Sequence, residues 1–221
     1  MLRDHLRDAW SVLFPVECSG CGAEDRSVCP RCRAALEPEV TLRFAGGLRV
    51  HTALLYEGRV RRVILAFKEQ GRTDAAAALA RPLATAIAAA TVAAPAAELL
   101  CVPTSRAAYR KRGYDPVALL LRRAGLSASR ELVHVRTASV QKALGVDERS
   151  ENLRGALASR HRLDGRSFVV IDDILTSGAT LTEAARAVRA AGGEVVAAAT
   201  VAFTVRLLPF RDIASGQEYV G

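Results

Sequence analysis

The spacing of apolar residues changes several times along the chain, and each change marks an element. Leu2, Leu6, Ala9 and Leu13 share one helical face. From Leu42 the pattern alternates; Val50–Tyr56 reads as a strand and Val60–Phe67 as a short helix burying Val63, Ile64 and Phe67. A long alanine-rich helix over Ala75–Ala94 follows, entered near Thr73 and Asp74, residues that favour helix starts. Leu99–Val102 is a strand ended by Pro103, and a basic loop leads to a helix over Pro116–Arg123 and a strand over Leu132–Val135. After a polar segment from Arg136 to about Leu153, the continuous apolar run Phe168–Ile171 reads as a central parallel strand. A polar, glycine-containing turn, a helix over Leu181–Ala191, the stop Gly192-Gly193 and a strand over Val195–Phe203 complete the pattern. Strands alternating with helices predict an α/β fold with a mainly parallel, Rossmann-like sheet.

With 221 residues, half of them hydrophobic, the chain can bury one ordinary α/β core. The expected division is a small module over 1–38, the α/β domain over 42–205 and a C-terminal tail over 206–221. The net charge is +8, and lysine occurs only at Lys68, Lys111 and Lys142. Arginine suits phosphate through its bidentate fork, but arginine-rich usage also follows from compositional bias, so the charge alone does not select nucleic acid over small anions. The N-terminus has charges of both signs and no long apolar region, and the uncharged run Pro82–Ala97 is mostly alanine. A cytoplasmic protein without membrane insertion is therefore expected.

Four of the five cysteines, Cys18, Cys21, Cys29 and Cys32, follow the spacing Cys-x2-Cys-x7-Cys-x2-Cys. A two-residue gap lets one tight turn aim two sulfurs at one metal, so a closed structural Zn2+ site is expected. Disulfides are the alternative, but no secretion signal accompanies them; a redox pair usually comes singly. Cys101, inside an apolar strand, reads as a core residue.

The most informative stretch is Val169 to Thr180, where an apolar strand stops at Asp172 and Asp173 and a loop of Thr176, Ser177, Gly178, Ala179 and Thr180 opens a helix. Such a loop offers N–H groups, hydroxyls and a helix N-terminus to a phosphate. The two acids cannot be phosphate ligands; they suit sugar hydroxyls or a divalent cation bridging sugar and phosphate. A ribose phosphate satisfies both halves.

This loop resembles the 5-phosphoribosyl 1-diphosphate (PRPP) signature of type I phosphoribosyltransferases. Together with Val102-Pro103-Thr104, with Arg106, Arg110, Arg112, Gly113 and Tyr114, with Gln141, Leu144, Arg149 and Asn152, and with the cysteine quartet, it is similar to the ComF family of competence-associated proteins. The chain departs from that pattern at Tyr114-Asp115, where Phe-Asn is usual, and Asp115 adds a negative charge beside an expected anion site. The resemblance implies a phosphoribosyltransferase-type domain behind a zinc module. It assigns Asp172 and Asp173 to the ribose hydroxyls and Mg2+, and residues 176–180 to the 5′-phosphate. Arg106, Arg110, Lys111, Arg112 and Gly113 would form a pyrophosphate region, and Gln141, Arg149 and Asn152 a lid. Lys68 matches the family's Lys-Phe segment, although a lysine at a helix end also follows from the dipole alone.

Two functions are compatible with this reading. One is transfer of phosphoribose from PRPP to an unknown acceptor, in a protein that forms a homodimer as related transferases commonly do. The other is a non-catalytic, PRPP-responsive accessory protein in DNA uptake or processing, binding single-stranded DNA or DNA-uptake proteins, with Arg26, Arg31 and Arg33 around the cysteines.

Overall fold

The computed structural model describes residues 16–24, 26–135 and 155–205. The N-terminal amphipathic piece, the tail over 206–221 and the expected lid residues Gln141, Arg149 and Asn152 lie outside the described residues.

A five-stranded sheet forms the centre. In chain order its strands are β1 (Thr41–Ala45), β2 (Leu48–Leu55), β3 (Glu98–Cys101), β6 (Ser167–Leu175) and β7 (Glu194–Phe203), and their spatial order is β1-β2-β7-β6-β3. The four strands β2, β7, β6 and β3 run parallel, and only β1 is antiparallel, joined to β2 by the turn at Gly46 and Gly47. The sheet is thus mainly parallel, as the alternation of elements predicts. A separate antiparallel pair consists of β4 (Leu132–His134) and β5 (Leu157–Ser159). The sequence pattern does not reveal β5, a three-residue strand too short to show a period.

Helices cover both faces. On one side α2 (Gly58–Glu69), α3 (Ala76–Thr91) and α5 (Pro116–Arg123) share a core with Val169 and Ile171 of β6 and with Ala197, Ala199 and Val201 of β7. On the other, α6 (Ala179–Ala190) packs with Phe168 and Val170, and Leu132 and Leu157 of the small sheet join it. Alternate residues of one strand feed two different cores, which is why Phe168–Ile171 is apolar throughout. Helix α3 starts at Ala76 behind a turn of 3-10 helix over Thr73–Ala75, and it continues through a buried Pro82.

The cysteine segment belongs to the first of these cores. Cys18, Val28, Cys29, Cys32 and Leu36 are buried among residues of α2 and α3. Short helix α1 (Pro30–Ala34) carries Cys32. Arg62 of α2 donates to the Gly20 carbonyl at 2.5 Å and Arg72 to the Glu17 carbonyl at 2.7 Å. A side chain at Gly20 would meet Cys32 Sγ at 2.6 Å and Val63, so this position has no room for a Cβ.

Candidate active site and metal centre

Two strands create the crevice. β6 and β3 pair only as far as Cys101 with Ile171, so the last four residues of β6, from Asp172 to Leu175, run past the end of β3. Beyond that point the chain leaves β6 toward α6 on one face, and leaves β3 toward α5 on the other. Ligands of open α/β sheets bind at such a divergence, beyond the carboxyl ends of the strands. The strand therefore does not stop at the acids, as the apolar run predicts; it carries them, because pairing with β7 continues through Leu175 and Phe203.

Asp172 accepts the Asp173 backbone N–H at 2.8 Å. Its carboxyl is pushed up to about 7, first by burial and then by the Asp173 charge, while the Asp173 N–H and Lys68 act in the lowering direction. Asp173 Oδ2 lies 2.7 Å from Lys68 Nζ, and both side chains are 18% exposed. The acid pair thus has a cation from α2 already seated on it, which leaves a poor fit for a divalent ion at Asp173.

The loop that follows has Thr176 and Ser177 exposed and Gly178 buried. Gly178 caps α6 with φ of +74°, in the left-handed region, and a Cβ there would collide with Ala45 of β1. Ser177 Oγ accepts the Ala179 N–H at 3.4 Å. The hairpin turn of β1 and β2 braces α6 from the same side, since a Cβ at Gly46 would meet Thr182 Oγ1 at 2.7 Å. Residues 176–180 are therefore a small, fixed loop at a helix N-terminus beside two carboxylates, able to cradle a phosphate.

The basic segment after β3 is a helix, α4 (Arg106–Arg112), and not a loop. None of its residues is buried, so no apolar period announces it; Ser105 caps its start by accepting the Ala108 N–H, and Gly113 at φ of +78° ends it. Arg106 and Arg110, both exposed, line a cavity of about 350 Å³ with Thr104, Tyr109, Asp115 and Arg130. No residue from Asp172 to Thr180 lines that cavity. Lys111 and Arg112 instead grip Glu69, at 2.7 and 2.6 Å. Together they hold its carboxyl down at about 2, well below the usual carboxylate range.

Three consecutive residues at the end of α2 thus hold four neighbours. The Phe67 carbonyl accepts the Tyr114 hydroxyl, with the two rings 5.5 Å apart; Lys68 binds Asp173; and Glu69 binds Lys111 and Arg112. The Tyr114 contact needs the hydroxyl that phenylalanine lacks. Asp115 caps α5 by accepting the Ala118 N–H at 3.0 Å, a role in which Asp and Asn are equivalent. Both departures at 114–115 therefore have local structural uses.

On the other side of the crevice, Glu183 of α6 accepts the Leu157 N–H at 3.0 Å, and Arg186 bridges Glu183 and the Leu157 carbonyl. Burial works against this carboxylate, yet Arg186 and the backbone N–H groups of Leu157 and Gly155 hold its pKa below the usual value. This fixes the small sheet to the helix that begins at the phosphate-type loop.

The four cysteine sulfurs of the first module lie within 4.8 Å of one another. Tetrahedral Zn–S bonds of about 2.3 Å require sulfurs about 3.8 Å apart, so the cluster fits such an ion. Burial opposes ionisation of Cys18, but N–H groups of Cys29, Gly20 and Cys21 bring it down to about 6. Burial raises Cys32. Cys101 is apart from the cluster, and burial pushes its thiol up to about 12. Among the described residues no helix is long and apolar enough to cross a membrane.

Residues 110–209, just under half of the chain, match the family model described as the phosphoribosyl transferase domain. No curated protein matches the chain. The matched region holds the acid pair and residues 176–180; α2 and the cysteine cluster precede it.

Proposed function

We propose, from the premise that residues 110–209 are a phosphoribosyl transferase domain and that the cysteine cluster ahead of it gives the chain a ComF-like make-up, that this protein binds PRPP as its magnesium complex and transfers the phosphoribosyl group to a nitrogen acceptor. The observation that carries this reading is the end of β6, where two carboxylates stand beside a capped glycine loop at the head of α6.

In this reading residues 176–180 hold the 5′-phosphate through N–H groups and hydroxyls, aided by the helix dipole. Asp172 and Asp173 accept the ribose hydroxyls and fix the ring. The acceptor nitrogen forms its bond to the anomeric carbon as the bond to diphosphate breaks, through an oxocarbenium-like transition state. The protein's share is positioning and charge stabilisation, with Arg106 and Arg110, the cations of α4 that make no ion pair among the described residues, meeting the departing diphosphate. Lys111 and Arg112 act one step removed, by holding α4 against Glu69. The cysteine cluster holds zinc with all four positions filled and performs no chemistry.

Calorimetric titration of magnesium PRPP into the wild type and into Asp172→Ala/Asp173→Ala, with both proteins checked for folding, tests the site. Binding by the wild type alone supports it; equal binding by both proteins, or by neither, overturns it.

A second reading rests on Arg26, Arg31 and Arg33, which are exposed around the cysteines and make no ion pair among the described residues. In that reading the module contacts single-stranded DNA and the ribose-phosphate site is regulatory. Affinity for single-stranded DNA that falls with salt and is lost in Arg31→Ala/Arg33→Ala would favour it; no binding at low salt would remove it.

A further inference from the structure

Lys68 is not a free surface lysine. It sits in the last turn of α2, and the residues on either side of it are held by Tyr114 and by Lys111 with Arg112. Its ammonium lies 2.7 Å from Asp173, with both groups largely withdrawn from water. A lysine that merely complemented the helix dipole would lie along the terminal carbonyls; this one is on the acid. The residue also lies outside the matched family region.

We infer that Lys68 is the resident counter-cation of the acidic pair, so that the site takes the hydroxyls of a ribose monophosphate without a divalent ion. This rests on the reading of the β6 terminus as a ribose-phosphate site. Asp172 accepts a backbone N–H at Oδ1 and Asp173 is held by Lys68 at Oδ2, so the second oxygen of each carboxyl, outside these two contacts, is left to meet the ribose hydroxyls. A divalent cation on Asp173 would have to displace the ammonium or sit beside it, and like charges at that spacing repel strongly where water is scarce. Any magnesium that enters does so on a diphosphate. Lys68 is accordingly a positioning residue that acts through Asp173.

The test uses full-length, zinc-loaded wild type, Lys68→Met, Lys68→Arg and Lys68→Met/Asp173→Asn, in buffer free of magnesium and of chelators. Ribose 5-phosphate is titrated by calorimetry with and without Mg2+, and Mn2+ alone is titrated by electron paramagnetic resonance. The wild type should bind ribose 5-phosphate equally with and without Mg2+. Lys68→Met should bind about tenfold more weakly without it, the scale of one lost charge-assisted hydrogen bond, and recover when Mg2+ is added. Lys68→Arg should keep the metal-independent binding. Lys68→Met should also gain one Mn2+ site that the wild type lacks and that Asp173→Asn removes.

Wild-type binding that requires Mg2+, or a Lys68→Met variant that neither depends on Mg2+ nor gains the Mn2+ site, overturns the inference. If no protein binds ribose 5-phosphate under any condition, the ribose-phosphate reading fails by itself. The Mn2+ titration then decides separately whether Lys68 bars a cation from the acids.

Discussion

Gly178 and Glu69 show how single positions carry the crevice. Gly178 combines a left-handed φ with contact against Ala45. Gly178→Ala should therefore cost about 2 kcal/mol or more, from the backbone penalty together with the displaced hairpin. Guanidinium denaturation would measure it, and a change under about 0.5 kcal/mol would show that the loop simply relaxes. Glu69 sets a pH dependence. Its carboxyl titrates near 2 in the folded protein against an ordinary 4.5, so its stabilisation is complete above 4.5 and fades as the pH falls toward 2. Glu69→Gln should thus be less stable than the wild type at pH 6, with the gap narrowing below pH 4.5 and closing only as the pH reaches about 2; because the contact is partly solvent-screened, the gap is small. Gly178 and the acids were legible in the sequence, being contiguous and of distinctive type. The partners of Glu69 were not, because Lys111 lies 42 residues away and no local pattern links them.

At the scale of elements, the anchor between α6 and β5 bears most weight. Glu183→Ala strips Leu157 of its N–H partner and Arg186 of its carboxylate, and should destabilise the protein by about 2–4 kcal/mol. Denaturant melts would register the loss, and Glu183→Gln should recover part of it by keeping an acceptor for the N–H. An Ala variant as stable as the wild type would show that the Glu183 contact adds nothing to the apolar packing of Leu132 and Leu157. Most helices and central strands were readable because their apolar periods are strong. α4 was not, since it buries nothing, although Ser105 and Gly113 are the start and stop signals that would have revealed it. The antiparallel direction of β1 and the existence of β5 depend on pairing partners remote in sequence, which period alone cannot supply.

Across the whole molecule, the cysteine cluster and the crevice share α2. Val63 and Phe67 pack in the same core as Cys18, Cys29 and Cys32, and the next residue is Lys68. Removing the proposed zinc should therefore do more than loosen the N-terminal module: it should lower the melting temperature of the main thermal transition and weaken the proposed ribose 5-phosphate binding together. Thermal scans and titrations before and after chelation would check this; an unchanged main transition would show that the cluster is energetically separate. The spacing of the cysteines disclosed the cluster, but nothing in it told of the docking, which depends on Arg62 and Arg72 finding the Gly20 and Glu17 carbonyls.

The junction at 67–69 also constrains how the gene can vary in length. Each residue of an α-helix advances the side chain by about 100°, so one codon inserted or deleted between Gly58 and Phe67 would swing the Phe67 ring and carbonyl and the Lys68 and Glu69 side chains off their partners at once. Substitutions at the exposed Arg59 and Arg61 leave that angular phase intact. The helix is thus permissive in composition along its outer face and rigid in its count of residues.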